Sequence, residues 1–256
     1  MDTVDIDRFP EFAQFAAAVQ RRNPGTGTWC EAWTVRDIVI HQTGNAEELA
    51  RVLEGHLAGD PVATRGFGER ERPYRALNDA DLWTAFNDRM THLGRVAAAA
   101  EELPEDTDVA WTGRTMKVPW FAEHMREELA LHSWDITGDD APARDRLAQP
   151  WMTGHSVHAV GVPLLRRGRD ILALHGNERV EARIRVAEED DVVVTADAEN
   201  TATITLAPPD GAATIETDAA TRVLLLWGRR PADPGRIRSA AGPLELGRLR
   251  TLLSGY

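Results

Sequence analysis

Apolar residues change their spacing in the second part of this chain, and that change constrains the fold more than any other feature. From Phe12 to Ile136 they recur every three or four residues, the period of one face of a helix. From Arg179 to Glu216 they come in short, alternating or β-branched runs separated by acidic or Pro/Gly turns, the pattern of antiparallel strands. One period cannot serve the other element, because side chains share a face every 3.6 residues in a helix and every two in a strand. The sequence therefore predicts an α+β protein. Residues 1–148 form a four-helix bundle, and residues 149–256 a small α/β sandwich domain with an antiparallel sheet.

The helices can be placed from their punctuation. Phe12, Phe15, Ala16 and Val19 form a first stripe that stops before Asn23-Pro24-Gly25. Thr34 and Asp37 have the spacing of a capping box, with Trp33 and Ile38 placed as a hydrophobic staple, so a second helix starts here and runs to about Gly59. Residues 61–76 are rich in Gly, Pro and Arg and read as a loop whose charges are solvated. A third helix spans Asn78 to Leu103, with Leu82, Phe86, Leu93 and Val96 on its inner face. Trp111 to Arg114 is a short extended link. Pro119 opens a fourth helix that reaches about Ile136 and is ended by Gly138 to Pro142. Beyond it lie a helical stretch from Trp151 to His175, strands at 179–186, 191–196, 201–206 and 212–216, a helix at 218–227 and a last helix from Pro243 to Leu253.

Composition excludes several function classes. The formal net charge is -12, and Lys117 is the only lysine, so a phosphate backbone or an anionic lipid surface is not an expected partner. Cys30 is the only cysteine, which rules out an intrachain disulfide and a thiolate metal cluster; its expected role is packing. The start, Met1 to Asp5, is acidic and lacks the apolar core of a signal peptide, and no apolar run is long enough to span a bilayer. A soluble cytoplasmic protein, monomeric or a small homo-oligomer, is the expectation.

Within the fourth helix, Glu128 and His132 are four apart and share one face among Leu129, Leu131 and Trp134. A carboxylate and an imidazole on a largely buried helix are well explained by a metal ion. His41, on the apolar side of the second helix, offers a third ligand, and bundles build metal sites from inward side chains of facing helices. Two imidazoles and one carboxylate form a zinc set with one position open, although the same set suits Fe(II). Asp135, three past His132, is a candidate for orienting its imidazole. Glu127 is expected to face water.

Trp33 to His41 and Glu128 to Asp135 resemble the two motifs of the mycothiol-dependent maleylpyruvate isomerase family, within the DinB-like metalloenzymes. Ala220 to Arg229, an apolar helix ending in Gly-Arg, is similar to that family's C-terminal domain. The resemblance implies a DinB-like bundle, zinc on His41, Glu128 and His132, and a sterol-carrier-protein-like second domain. It further implies Arg229 near the substrate, and mycothiol or a similar low-molecular-weight thiol as cosubstrate with a small, anionic electrophile. Arg229 also has a local reading, since an Arg at a helix C-terminus bonds the last carbonyls. The reaction implied is cis–trans isomerisation or thiol S-transfer. The competing class is a non-catalytic protein, either a metal-stabilised bundle or a carrier of an apolar ligand.

Overall fold

The computed structural model describes residues 3–199 and 201–253; the first two residues of the acidic start thus lie outside the described residues. The chain divides into two compact units, Met1–Gly138 and Asp139–Tyr256. The division falls at the glycine ending the fourth predicted helix, ahead of the expected boundary at 148/149.

In the first unit the predicted bundle helices are α1 (Phe12–Gln20), α2 (Val35–Leu57), α4 (Asp79–Ala100) and α5 (Pro119–Thr137), with a further helix α3 (Phe67–Arg75) between α2 and α4. Helix α2 packs on α4, α3 and α5, and α1 packs on α5. The core between them includes Phe9, Phe15, Ile38, Leu49, Phe86, Leu93, Phe121 and Leu129, all fully buried. Each such side chain contributes about 1.5–3 kcal/mol on transfer from water, enough to hold helices whose intrinsic propensity is ordinary.

Helix α3 corrects the expectation of a loop at 61–76. Its apolar content is too low to form a stripe, and Pro73 lies inside it. It is helical because polar side chains, not apolar ones, anchor it to α2. Arg70, Glu71 and Tyr74 are all buried, and Tyr74 bonds Glu47 on α2. A second correction concerns the link at Trp111 to Arg114, which is the turn of a hairpin. Strands β1 (Asp108–Trp111) and β2 (Arg114–Lys117) pair antiparallel around Thr112 and Gly113. Both turn residues have positive φ, 46° and 79°, as a two-residue turn that matches strand twist requires.

The second unit opens with α6 (Ala141–Leu147), a helix that the sequence reading treated as a terminator. Asp140 caps it by accepting from the Ala143 amide, and Pro142 sits in its first turn. Next come α7 (Pro150–His155), a π-helical turn and α8 (Gly161–Leu172). Strands β3 (Arg179–Val186), β4 (Asp191–Asp197), β5 (Ala202–Ala207) and β6 (Ile215–Thr217) form a sheet of order β5-β4-β3-β6. The first three pair antiparallel, as predicted. Strand β6 instead pairs parallel with β3, with Ile184 opposite Ile215, so the sheet is mixed. Thr214 enforces this: its amide donates to Arg183 O and its hydroxyl accepts from the Arg183 amide, which ties the incoming strand to that edge.

Helices α9 (Ala219–Leu226) and α10 (Pro243–Leu253) both pack on β3. Asp218 caps α9, and its C-terminus closes with the Gly228 amide on Leu225 O and the Arg229 amide on Leu224 O. That pair of bonds is a Schellman motif, and it needs the positive φ of 68° that Gly228 supplies. No described helix is long and apolar enough to cross a membrane.

Candidate metal centre

The start of α2 sets the register of the site. The Asp37 amide donates to Thr34 Oγ1 at 3.2 Å, and the Thr34 amide donates to Asp37 Oδ2 at 3.0 Å, completing the capping box. Two turns on, His41, Gln42 and Asn45 point at Glu128 of α5. Glu128 Oε2 accepts from Gln42 Nε2 at 3.1 Å and from Asn45 Nδ2 at 3.2 Å. His41 Nε2 lies 3.5 Å and His132 Nε2 3.4 Å from the same oxygen. One donor atom from each of His41, Glu128 and His132 lies within 4.8 Å of the other two, and all three residues are buried.

The outer nitrogens of both rings are held by carboxylates. His41 Nδ1 sits 2.9 Å from Glu71 Oε1 on α3, and His132 Nδ1 sits 2.7 Å from Asp135 Oδ2. An ionised carboxylate only accepts, so it draws the ring proton to Nδ1 and leaves the Nε2 lone pair directed inward. Two lone pairs and a carboxylate oxygen then face one another. The two imidazole-to-carboxylate separations, 3.5 and 3.4 Å, exceed the roughly 2.7–2.9 Å of a charge-assisted hydrogen bond. They match the ~3.3 Å edge of a tetrahedron whose ligands stand about 2.0–2.1 Å from a central zinc ion. The donor set and its spacing fit a divalent metal. Gln42 Oε1 and Asn45 Oδ1, beside the cluster, have no hydrogen-bond partner among the described residues.

Electrostatics agree with this geometry. Burial pushes the Glu128 carboxyl up, but the adjoining His132 and His41 rings outweigh it and hold the group well below the usual carboxylate range. Burial pushes His132 down, and Asp135 and Glu128 more than reverse this, raising its pKa. Glu71 is likewise destabilised as an anion by burial and restored by His41 and Arg75, so its pKa is lowered. Aromatic rings flank the cluster. Trp33 stacks on His132 with centroids 5.8 Å apart and lies 4.9 Å from the His41 ring; Phe67 lies 5.4 Å from His41 on another side.

Residues 9–137 match the family model described as the mycothiol maleylpyruvate isomerase N-terminal domain. This chain belongs to that family. Two crystal structures, of the mycothiol-dependent maleylpyruvate isomerase and of its histidine-to-alanine mutant, share the fold at TM-scores of 0.58 and 0.59. They are 15% and 14% identical, and each match covers 91% of this chain and 92% of theirs. No curated protein sequence matches significantly.

The maleylpyruvate isomerase family unit thus brings together His41, Glu128, His132 and Asp135. It does not place Glu127 in water: that residue is fully buried, correcting the expectation for it. Arg229 lies in the second unit, where its Nη1 donates to Trp227 O at 3.1 Å, a C-terminal helix contact of the local kind. Glu71 was missed by sequence reasoning. Its only sequence signal is the spacing of Glu71 and Tyr74, three apart in a segment without an apolar stripe.

Proposed function

We propose that this protein is a zinc-dependent enzyme that uses His41, Glu128 and His132 to activate mycothiol or a similar thiol. The carrying observation is the convergence of two Nε2 atoms on one Glu128 oxygen at 3.4 and 3.5 Å, with both opposite ring nitrogens held by carboxylates. A divalent ion bound by three protein ligands has an open position and lowers the pKa of a thiol placed there.

The chain's own residues supply the rest. Glu71 and Asp135 keep the protons of His41 and His132 on the outer nitrogens. Gln42 and Asn45 fix the Glu128 carboxylate. Trp33 and Phe67 form apolar walls that favour a flat, conjugated substrate over water. In the proposed isomerisation the thiolate adds to a cis carbon–carbon double bond, which becomes a rotatable single bond. Rotation and departure of the same thiolate return the trans alkene with no net consumption of thiol. In an S-transfer the thioether bond stays and the electrophile's leaving group or π electrons take up the charge. Arg229 is proposed to face a carboxylate of the substrate and to offset the enolate charge that develops on addition.

The test combines composition and turnover. Purified protein is analysed for metal beside His41→Ala and His132→Ala, then incubated with mycothiol and maleylpyruvate. Stoichiometric zinc in the wild type only, with trans product and unchanged thiol, is the expected result. A stable thioether with another electrophile selects transfer over isomerisation. Wild-type protein without stoichiometric metal, or variants that retain it, refutes the reading.

A further inference from the structure

Arg70, on α3, is 3% exposed, and its Nε and Nη1 have no hydrogen-bond partner among the described residues. Buried guanidinium donors without acceptors are costly, and natural proteins rarely keep them without a reason. Arg222, at 2% exposure in the second unit, shows the usual solution. It donates to Thr153 Oγ1 from two nitrogens, to Asp190 O from the third, and pairs with Glu189.

The carboxylates around Arg70 are engaged elsewhere. Glu48, Glu71 and Glu128 all lie within electrostatic range of it. Glu48 is bonded by Arg51 and Arg65, Glu71 by His41 and Arg75, and Glu128 by Gln42 and Asn45. These anions make the neighbourhood tolerable for a cation, yet none accepts from it. Burial lowers the Arg70 pKa, and the three carboxylates recover only part of that loss.

The placement of Arg70 is built into the fold. The guanidinium carbon stands 4.2 Å over the Phe67 ring, whose other neighbour is the His41 imidazole. Stacking occupies the face of the guanidinium and leaves its in-plane N–H groups for an acceptor. Gly44, one turn after His41, makes room: a Cβ there would meet Arg70 O at 3.3 Å and Arg70 Cγ at 3.4 Å.

We propose that Arg70 binds a carboxylate of the substrate beside the metal ligands, its unpartnered N–H groups donating to that group. A buried guanidinium N–H and a carboxylate oxygen form a charge-assisted hydrogen bond, which suits an anionic substrate group. The Phe67 ring that packs against the guanidinium also lines the His41 side of the cluster, so the carboxylate and the conjugated carbons of one small molecule can be held together. This inference rests on the thiol-activating reading for what the bound acid undergoes, but the binding itself does not require metal.

The experiment uses maleate, with neutral maleamide as control, against the full chain as purified and its Arg70→Met and Arg70→Lys variants. Binding is followed by calorimetry and by the shift of melting temperature, and metal content is measured on each sample. Maleate binding should weaken at least tenfold in Arg70→Met and be partly restored in Arg70→Lys, while maleamide binding stays the same across the three proteins. Unliganded Arg70→Met should melt at or above the wild-type temperature, because a side chain kept for a ligand is not needed for folding. Equal maleate affinity in wild type and Arg70→Met overturns the proposal. So does an Arg70→Met protein that fails to fold or melts well below wild type, since that marks a structural cation. Arg70-dependent maleate binding by protein lacking stoichiometric metal sustains the inference while refuting the zinc reading.

Discussion

Asp135→Asn isolates what the carboxylate behind His132 supplies to the proposed metal site. Asp135 is fully buried, and its Oδ2 stands 2.7 Å from His132 Nδ1, so no water can take over its role. Asparagine keeps the volume and can still present an acceptor oxygen, but the negative charge that makes Nε2 more basic is gone. Removing partners of metal-bound histidines typically costs about 10–100-fold in affinity. Because Asn spares the shape, the lower half of that range applies, about 10–30-fold or roughly 1.4–2 kcal/mol of binding free energy. Asp135→Ala also strands a buried N–H, so it should fall near the ~100-fold end. Zinc affinity measured by competition with a chromophoric chelator at fixed pH reads the effect, with His132→Ala as the reference for loss of a ligand. Wild-type affinity in both Asp135 variants, with folding intact, would refute the claim that this carboxylate sets the imidazole for metal.

Metal affinity should rise with pH through the range where His132 loses its proton. The raised pKa of His132 places that range above the usual value of about 6.5, and a competition titration between pH 6 and 9 checks it. For metal-free protein the sign reverses. His132 contributes stability that is present below about pH 6.5 and lost as pH rises through its raised folded value, whereas Glu128 contributes stability present above about pH 4.5 and lost as pH falls toward its lowered one; melting curves from pH 4 to 9 should therefore be highest between these limits. Thr34→Ala removes one half of the α2 capping box and should destabilise by about 1 kcal/mol in chemical denaturation. Gly138→Ala should cost more, about 2–3 kcal/mol, because Gly138 has φ of 78° and a Cβ would meet Trp29 Nε1 at 2.7 Å.

Features with a local signature were legible in the sequence. Thr34 and Asp37 announced α2, and the four-residue spacing of Glu128 and His132 announced their common face. Asp135 was within reach because it is one turn from His132. Features made by contacts distant in sequence were not legible. Helix α3 holds its place through Glu71 on His41, thirty residues away, and Tyr74 on Glu47, with no apolar stripe to betray it. Arg70 read as a solvated loop charge because nothing in its neighbours indicates burial. Glu127 read as exposed because only Glu128 stands four residues before His132, yet every residue from Glu127 to Ile136 of α5 is buried. Strand β6 has the alternation of a strand, but its direction relative to β3 depends on where the preceding loop returns, which periodicity does not encode.

Trp33 immediately precedes the cap of α2 and stacks on the His132 imidazole with an interplanar angle of 13°. An indole in that position is an optical reporter. A protonated imidazole close to an indole quenches its fluorescence by accepting an excited electron, and a neutral one does so far less. Emission attributable to Trp33, taken as the difference from a Trp33→Phe variant, would therefore report in real time on the imidazoles beside it, and with them on the arrival of any ion at the cluster.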